Sequence, residues 1–172
     1  MNLNSRLQDL YDGLREEFGH RDWWPGETPF EVMVGAILTQ NTNWDNVEKA
    51  IDNLQERGAL SPAAILNLEQ DDLQDLVRPA GYYRQKAARV KRLAQWLMDN
   101  CDGAVELLQD WPEDELRKEL VSIRGVGPET ADSIMLYALD RPVFVVDTYT
   151  LRVTTRHGLI ERNCTYYDQI GR

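Results

Sequence analysis

Cysteine and histidine are almost missing from this chain of 172 residues, with two of each. Cys101 and Cys164 match neither a disulfide framework nor a four-thiolate metal or cluster site. His20 and His157 lie far apart with no metal-ligand spacing around them, which argues against zinc catalysis and against a Ser/His/Asp triad. Long apolar runs are missing too. The longest, residues 32–38, is far too short to span a bilayer, and the opening MNLNSRLQDL has no apolar signal core. With no targeting signal and no membrane segment visible, a cytoplasmic (nucleoid-associated) or nuclear protein is expected. Positive charge is also scarce. Nineteen Lys and Arg face 29 Asp and Glu, and the formal net charge of −10 opposes nonspecific attraction to nucleic acid or anionic membrane.

What is present is the composition of an ordinary soluble globular protein, 42% hydrophobic and 28% charged, without repeats or low-complexity tracts. The length allows one good core, or two small lobes that share a cleft. Leu3, Leu7, Leu10, Leu14 and Phe18 stand at helical spacing, with Asn4 and Ser5 near the start as caps. Thr28-Pro29-Phe30-Glu31 offers a capping box with proline at the first helical position. The helix it opens, FEVMVGAILTQ, is apolar nearly all round, so it should run through the core and leave Gln40 at its C-terminal mouth.

Val47, Ala50, Ile51 and Leu54 give the next amphipathic helix, which Gly58 can end, and Ser61-Pro62 caps another. Helical patterning continues over residues 69–78, 83–100 and 112–122. The one β-rich run, Val143-Phe144-Val145-Val146, is short and has no partner strand in the sequence. The expected fold class is all-α, with about ten helices.

Charge is unevenly spread. Residues 82–97 hold Arg84, Lys86, Arg89, Lys91 and Arg92 and no acid, which suits either a positive face for DNA or a solvated helix side. Gly125-Val126-Gly127 before Pro128 reads as a tight turn between helices. Its glycines admit positive φ and close approach, and the free amides at the following helix start suit a phosphate. An ordinary helical hairpin has the same appearance. Asp147, in VVDTYTLRV, is placed to cap a further helix, a common task for aspartate.

Taken together and in order, LTQNTNWDNVEKA, GYYRQKAARV, IRGVGPETAD and VFVVDTYTLRV resemble the helix-hairpin-helix DNA glycosylase superfamily, to which endonuclease III and the adenine mismatch glycosylase belong. The resemblance covers most of residues 22–157. It implies a two-lobed helical glycosylase fold, with a six-helix lobe over residues 24–135 and a second lobe from 1–23 plus 136–172. Double-stranded DNA would enter the cleft, gripped at Gly125, Val126, Gly127 and Thr130, with Lys86 and Arg84 adding charge, with Gln40 filling the gap left in the duplex and with Asn41 also at the DNA. The lesion base would be flipped out. Asp147 falls on the family's catalytic aspartate, whose carboxylate stabilises oxocarbenium character at the sugar or orients water. A monovalent cation on hairpin carbonyls is a further expectation, and a monomer is expected.

Two departures narrow this. Where strand-nicking relatives carry a lysine just after the hairpin, this chain has Glu129. A carboxylate cannot form an imine, so base removal without lyase activity is expected, with Glu129 near the site in an undecided role. Only Cys164 lies in the region where many relatives place four cysteines, so no iron–sulfur cluster and no other cofactor is expected.

The WWP loop with Trp44 looks most like the 3-methyladenine glycosylase branch. That likeness implies Trp24, Pro25 and Trp44, with Trp23, around a flipped base whose positive charge favours aromatic faces. A glycosylase for mismatched thymine or uracil, and a noncatalytic DNA-binding protein of the same fold, are the alternatives. The second lobe looks shortened after Tyr166-Tyr167-Asp168.

Overall fold

The computed structural model describes residues 2–21 and 24–160. Two units emerge, one of Gly26–Phe144 and one joining Met1–Pro25 with Val145–Arg172. All regular structure among the described residues is helical.

In the first of these units, α2 (Pro29–Leu38) is the centre. Thr28 caps it as its sequence suggests, the hydroxyl accepting from the Glu31 amide at 3.2 Å. The return bond differs from a capping box: the Glu31 carboxylate accepts from the Glu27 amide, one residue earlier than the cap. Phe30 and every residue from 32 to 38 are buried, so α2 is a helix with no solvent face. Truncating one of its large side chains to alanine would cost about 2–5 kcal/mol.

Against α2 pack α3 (Trp44–Glu56) and α6 (Tyr83–Cys101). α3 ends where Gly58 adopts φ 66°, its amide donating to Gln55 O at 2.8 Å. α4 (Pro62–Asn67), capped by Ser61, and α5 (Gln70–Leu76) close over α6. α7 (Glu113–Ser122) then leads through a turn into α8 (Pro128–Ser133), which widens into a π-helical turn at Ile134–Ala138.

One basic residue of α6 stands inside. Lys86 lies at helical spacing with the buried Val90, Leu93 and Leu97, and only 1% of it is exposed. Its ammonium donates to Leu38 O at 2.8 Å, the last carbonyl of α2, and to Ala80 O at 2.7 Å. Burial pushes this ammonium down to about 8, and the nearby Arg89 charge pushes the same way. The expectation of Lys86 as a DNA contact is therefore corrected: it caps the central helix from within.

In the other unit, α1 (Leu3–Phe18) is capped by Asn2, not by Asn4 or Ser5. The Asn2 side chain accepts from the Ser5 amide at 2.8 Å. Arg6 donates to His157 O at 2.6 Å and to Gly158 O, tying α1 to the end of α9 (Thr148–Arg156). The apolar face of α1 stays exposed at Leu3, Leu7, Tyr11, Leu14 and Phe18.

Candidate active site

The hairpin between α7 and α8 is a short turn with many ties. After Ile123, the chain turns at Gly125, whose φ of +104° few residues but glycine adopt. The Val126 amide donates back to Ile123 O at 2.9 Å, and Gly127 enters α8 with extended backbone. A side chain at 125 is excluded for a second reason: a Cβ there would lie 2.5 Å from Cγ of Arg89. Arg92, nearly one helical turn onward on α6, donates to Arg124 O at 3.0 Å.

Gln40 joins this assembly from the end of α2. Its side-chain nitrogen donates to Gly125 O at 3.2 Å and to Thr130 Oγ1 at 2.9 Å, while its oxygen accepts from Arg89. Because guanidinium can only donate and a carbonyl can only accept, the orientation of the amide follows from its partners. Gln40 was expected in the gap of a duplex; here it is bound to the hairpin. Thr130 and Val126 are likewise buried, so their side chains hold the turn from inside and do not face a phosphate.

Opposite, Arg117 of α7 grips Asp132 of α8 with two parallel bonds of 2.7 and 3.1 Å. Asp132 is buried, so the two helices of the hairpin are pinned by a charge pair.

Of the remaining expected residues, Asn41 is exposed in the left-handed region, at φ 55°, and Arg84 is exposed on α6 beside the Tyr83 ring. Glu129 is exposed at the start of α8. Trp44 begins α3, its indole N–H donating to Glu48 at 2.8 Å, which fixes the ring. Trp24 is half-buried and Pro25 exposed. Trp23 lies outside the described residues, as do Cys164 and residues 166–168. Cys101 is buried, its thiol donating to Leu97 O at 3.1 Å, and burial pushes it up. The carbonyls of Ile123, Arg124 and Gly125 each accept an N–H, which leaves each oxygen a second lone pair.

Asp147 stands at the N-cap of α9, as its sequence position suggests. Its Oδ1 accepts both the Thr150 amide at 2.7 Å and the Thr150 hydroxyl at 2.9 Å. Among the described residues, Oδ2 accepts no hydrogen bond. One oxygen thus orients the carboxylate and the other is left to act on something else.

Sequence reasoning named Arg89 only as one of a basic run and not as a residue packed on the hairpin glycine, and it passed over Tyr82. The latter is 66% exposed and held at φ 44°, a left-handed conformation unusual for an aromatic residue. Its signal was Gly81-Tyr82 just before a helix.

Two helices joined by a Gly-x-Gly turn, inside a purely helical unit, define a helix-hairpin-helix protein. Residues 34–169 match the model of the HhH-GPD superfamily of base excision DNA repair proteins, and the chain belongs to that superfamily. A protein of Methanocaldococcus jannaschii with the provisional name DNA repair glycosylase is 50% identical over 93% of this chain and 73% of its own length. Endonuclease III of Thermotoga maritima is 32% identical over 77% of this chain and 58% of that protein. Among solved structures, the H. pylori 3-methyladenine DNA glycosylase bound to 1,N6-ethenoadenine superposes with a TM-score of 0.79 at 29% identity, over 96% of this chain and 77% of that one. An endonuclease III–DNA complex gives 0.80 at 26% identity, over 96% and 74%.

Proposed function

We propose that the protein is a monofunctional DNA N-glycosylase that hydrolyses the glycosidic bond of an alkylated purine flipped from duplex DNA. The observation that carries the monofunctional reading is the distribution of amines. Glu129 follows the hairpin, no lysine occurs after Lys118, and Lys86 on α6 is buried with its ammonium bonded to two carbonyls. In this reading the position after the hairpin offers a carboxylate and no amine to attack C1′ and hold it as an imine.

Water is the nucleophile in this reading. As the C1′–N bond breaks, its electron pair leaves with the base. A base alkylated at N3 or N7 departs neutral because it began as a cation, so no general acid is needed. Asp147 stabilises the positive charge that develops on the sugar, water adds at C1′, and its proton passes to the carboxylate or to solvent. The flipped cationic base is assigned to the aromatic faces of Trp24 and Trp44, worth roughly 0.5–2 kcal/mol each. Tyr82 is assigned to stack within the duplex the base has left. The alkylated substrate draws its support from these tryptophans and from the likeness to the 3-methyladenine enzyme.

The test presents duplexes carrying 3-methyladenine, 7-methylguanine, uracil or a thymine mismatch, with alkali added afterwards to cleave abasic sites. Release of the methylated purines, strand breaks only after alkali, and no covalent complex under borohydride are expected. Release of mismatched pyrimidines alone overturns the substrate, and a borohydride-trapped complex overturns the monofunctional assignment.

A further inference from the structure

We infer that Lys86 is a positioning residue that clamps together, from inside the protein, the loop carrying Tyr82 and the loop carrying Gln40, so that both side chains meet the duplex at a fixed spacing. The inference rests on the glycosylase reading for what Tyr82 and Gln40 do in DNA, while the clamp is a property of the free protein.

One ammonium joins two segments far apart in sequence. Its acceptors are Leu38 O, at the end of α2, and Ala80 O, at the end of the short helical turn Arg78–Ala80, at 2.8 and 2.7 Å. Each carbonyl lies two residues before a side chain assigned to the duplex: Gln40 follows Leu38, and Tyr82 follows Ala80. The backbone of the same lysine adds a further tie. Its amide donates to Tyr82 O at 3.0 Å, so the Gly81-Tyr82 turn closes on Lys86 at both ends.

That turn needs holding. Gly81 and Tyr82 are both in left-handed backbone, at φ 71° and 44°, and the Tyr82 ring is exposed. Among the described residues no side chain caps the start of α6.

Stability alone does not account for a charge in this place. The ammonium belongs to the first turn of α6, the positive end of that helix dipole, with the Arg89 charge near it and 1% of the residue exposed. A methionine would fill the space without desolvating a charge. What the ammonium adds is several donors on one atom, able to hold two carbonyls that end different elements. Successive bases lie about 3.4 Å apart along a strand, so a slip of about 1 Å between the loops is enough to spoil a joint approach.

The test compares Lys86→Met, Tyr82→Ala and the double variant with the parent at pH 7. Affinity is measured across a salt series for an undamaged duplex and for one with a stable abasic analogue, and amide exchange at Thr39 and Gly81 is followed in the free protein. Each single variant is expected to lower the preference for the abasic duplex by about tenfold, and the double variant by no more than either. Affinity of Lys86→Met for the undamaged duplex and its melting temperature should hold. Its salt slope should equal the parent's, because a buried ammonium neutralises no phosphate. Exchange at Thr39 and Gly81 should quicken in Lys86→Met while amides of α7 stay steady.

Equal loss on both duplexes, or a loss that multiplies with that of Tyr82→Ala, reduces Lys86 to a structural residue and overturns the positioning role. A slope lower by about one makes it a phosphate contact instead. Exchange that does not change at either amide overturns the clamp. Should Tyr82→Ala match the parent, or the parent bind no duplex, the glycosylase reading of these loops fails, while the exchange data still decide whether the clamp exists.

Discussion

The hairpin and the Asp147 cap are held by opposite means. Residues 124–132 are tied by α2, α6 and α7 through partners from 15 to 90 positions away. Among the described residues Asp147 is held by Thr150 alone, three residues on. A grip on a long polymer depends on several groups keeping their spacing, which only the tertiary structure can impose. A single carboxylate needs an orientation and an unengaged oxygen, and one turn of helix provides both. Substitutions around the hairpin should therefore act on stability and binding, and substitutions around Asp147 on turnover.

The largest effect expected is that of Asp147→Asn. Asparagine caps helices as well as aspartate does, so the melting temperature should hold, while single-turnover base release falls by about 10²–10⁴-fold. Equal loss of both would erase the contrast between the regions.

Next comes Lys86, whose removal acts on the scaffold under the hairpin. Its folded value of about 8 lies below the ordinary 10.5. The cost of burying the charge is therefore fully present below pH 8 and fades as pH rises to 10.5, where the unfolded chain also becomes neutral. Relative to Lys86→Met, the parent should gain about 3 kcal/mol of stability across that window, at ~1.4 kcal/mol per pH unit of offset. Denaturant melts of the two proteins at pH 7 and pH 10.5 measure it, and a gap that does not change with pH refutes it.

Arg117→Ala should cost about 2–3 kcal/mol in the same melts, because it removes two charge-assisted bonds to the buried Asp132 carboxylate. That figure is discounted for the partial exposure of Arg117. Arg117→Ala with Asp132→Asn should recover part of the loss.

The smallest effect is that of Thr150→Val. The Asp147 carboxylate keeps the amide bond and loses the hydroxyl, so turnover should fall about threefold, in line with one net hydrogen bond of ~0.5–1 kcal/mol, while duplex affinity is unchanged.

What could be read from the sequence follows the same division. Local signals were dependable: Thr28-Pro29, Ser61-Pro62, Gly58 and Asp147 cap or end helices where their sequence neighbours say they should. The family and its helical fold were legible because several such segments recur in order. Long-range ties were not. Lys86 sits in a basic run that looks like a solvent face, yet its spacing with Val90 and Leu93 puts it on the inward stripe. Gln40 gives no local hint of bonds to residues 85 and 90 positions ahead. The π-helical turn after α8 likewise has no mark in the IMLYA segment that forms it.

The buried thiol of Cys101 has a practical consequence. A sulfur that is enclosed near the end of α6, donating to Leu97 O, and pushed away from its thiolate form reacts with electrophiles only when that helix end opens. With Cys164 replaced by serine, the labelling rate at Cys101 becomes a clock for how often the lobe beneath the hairpin breathes.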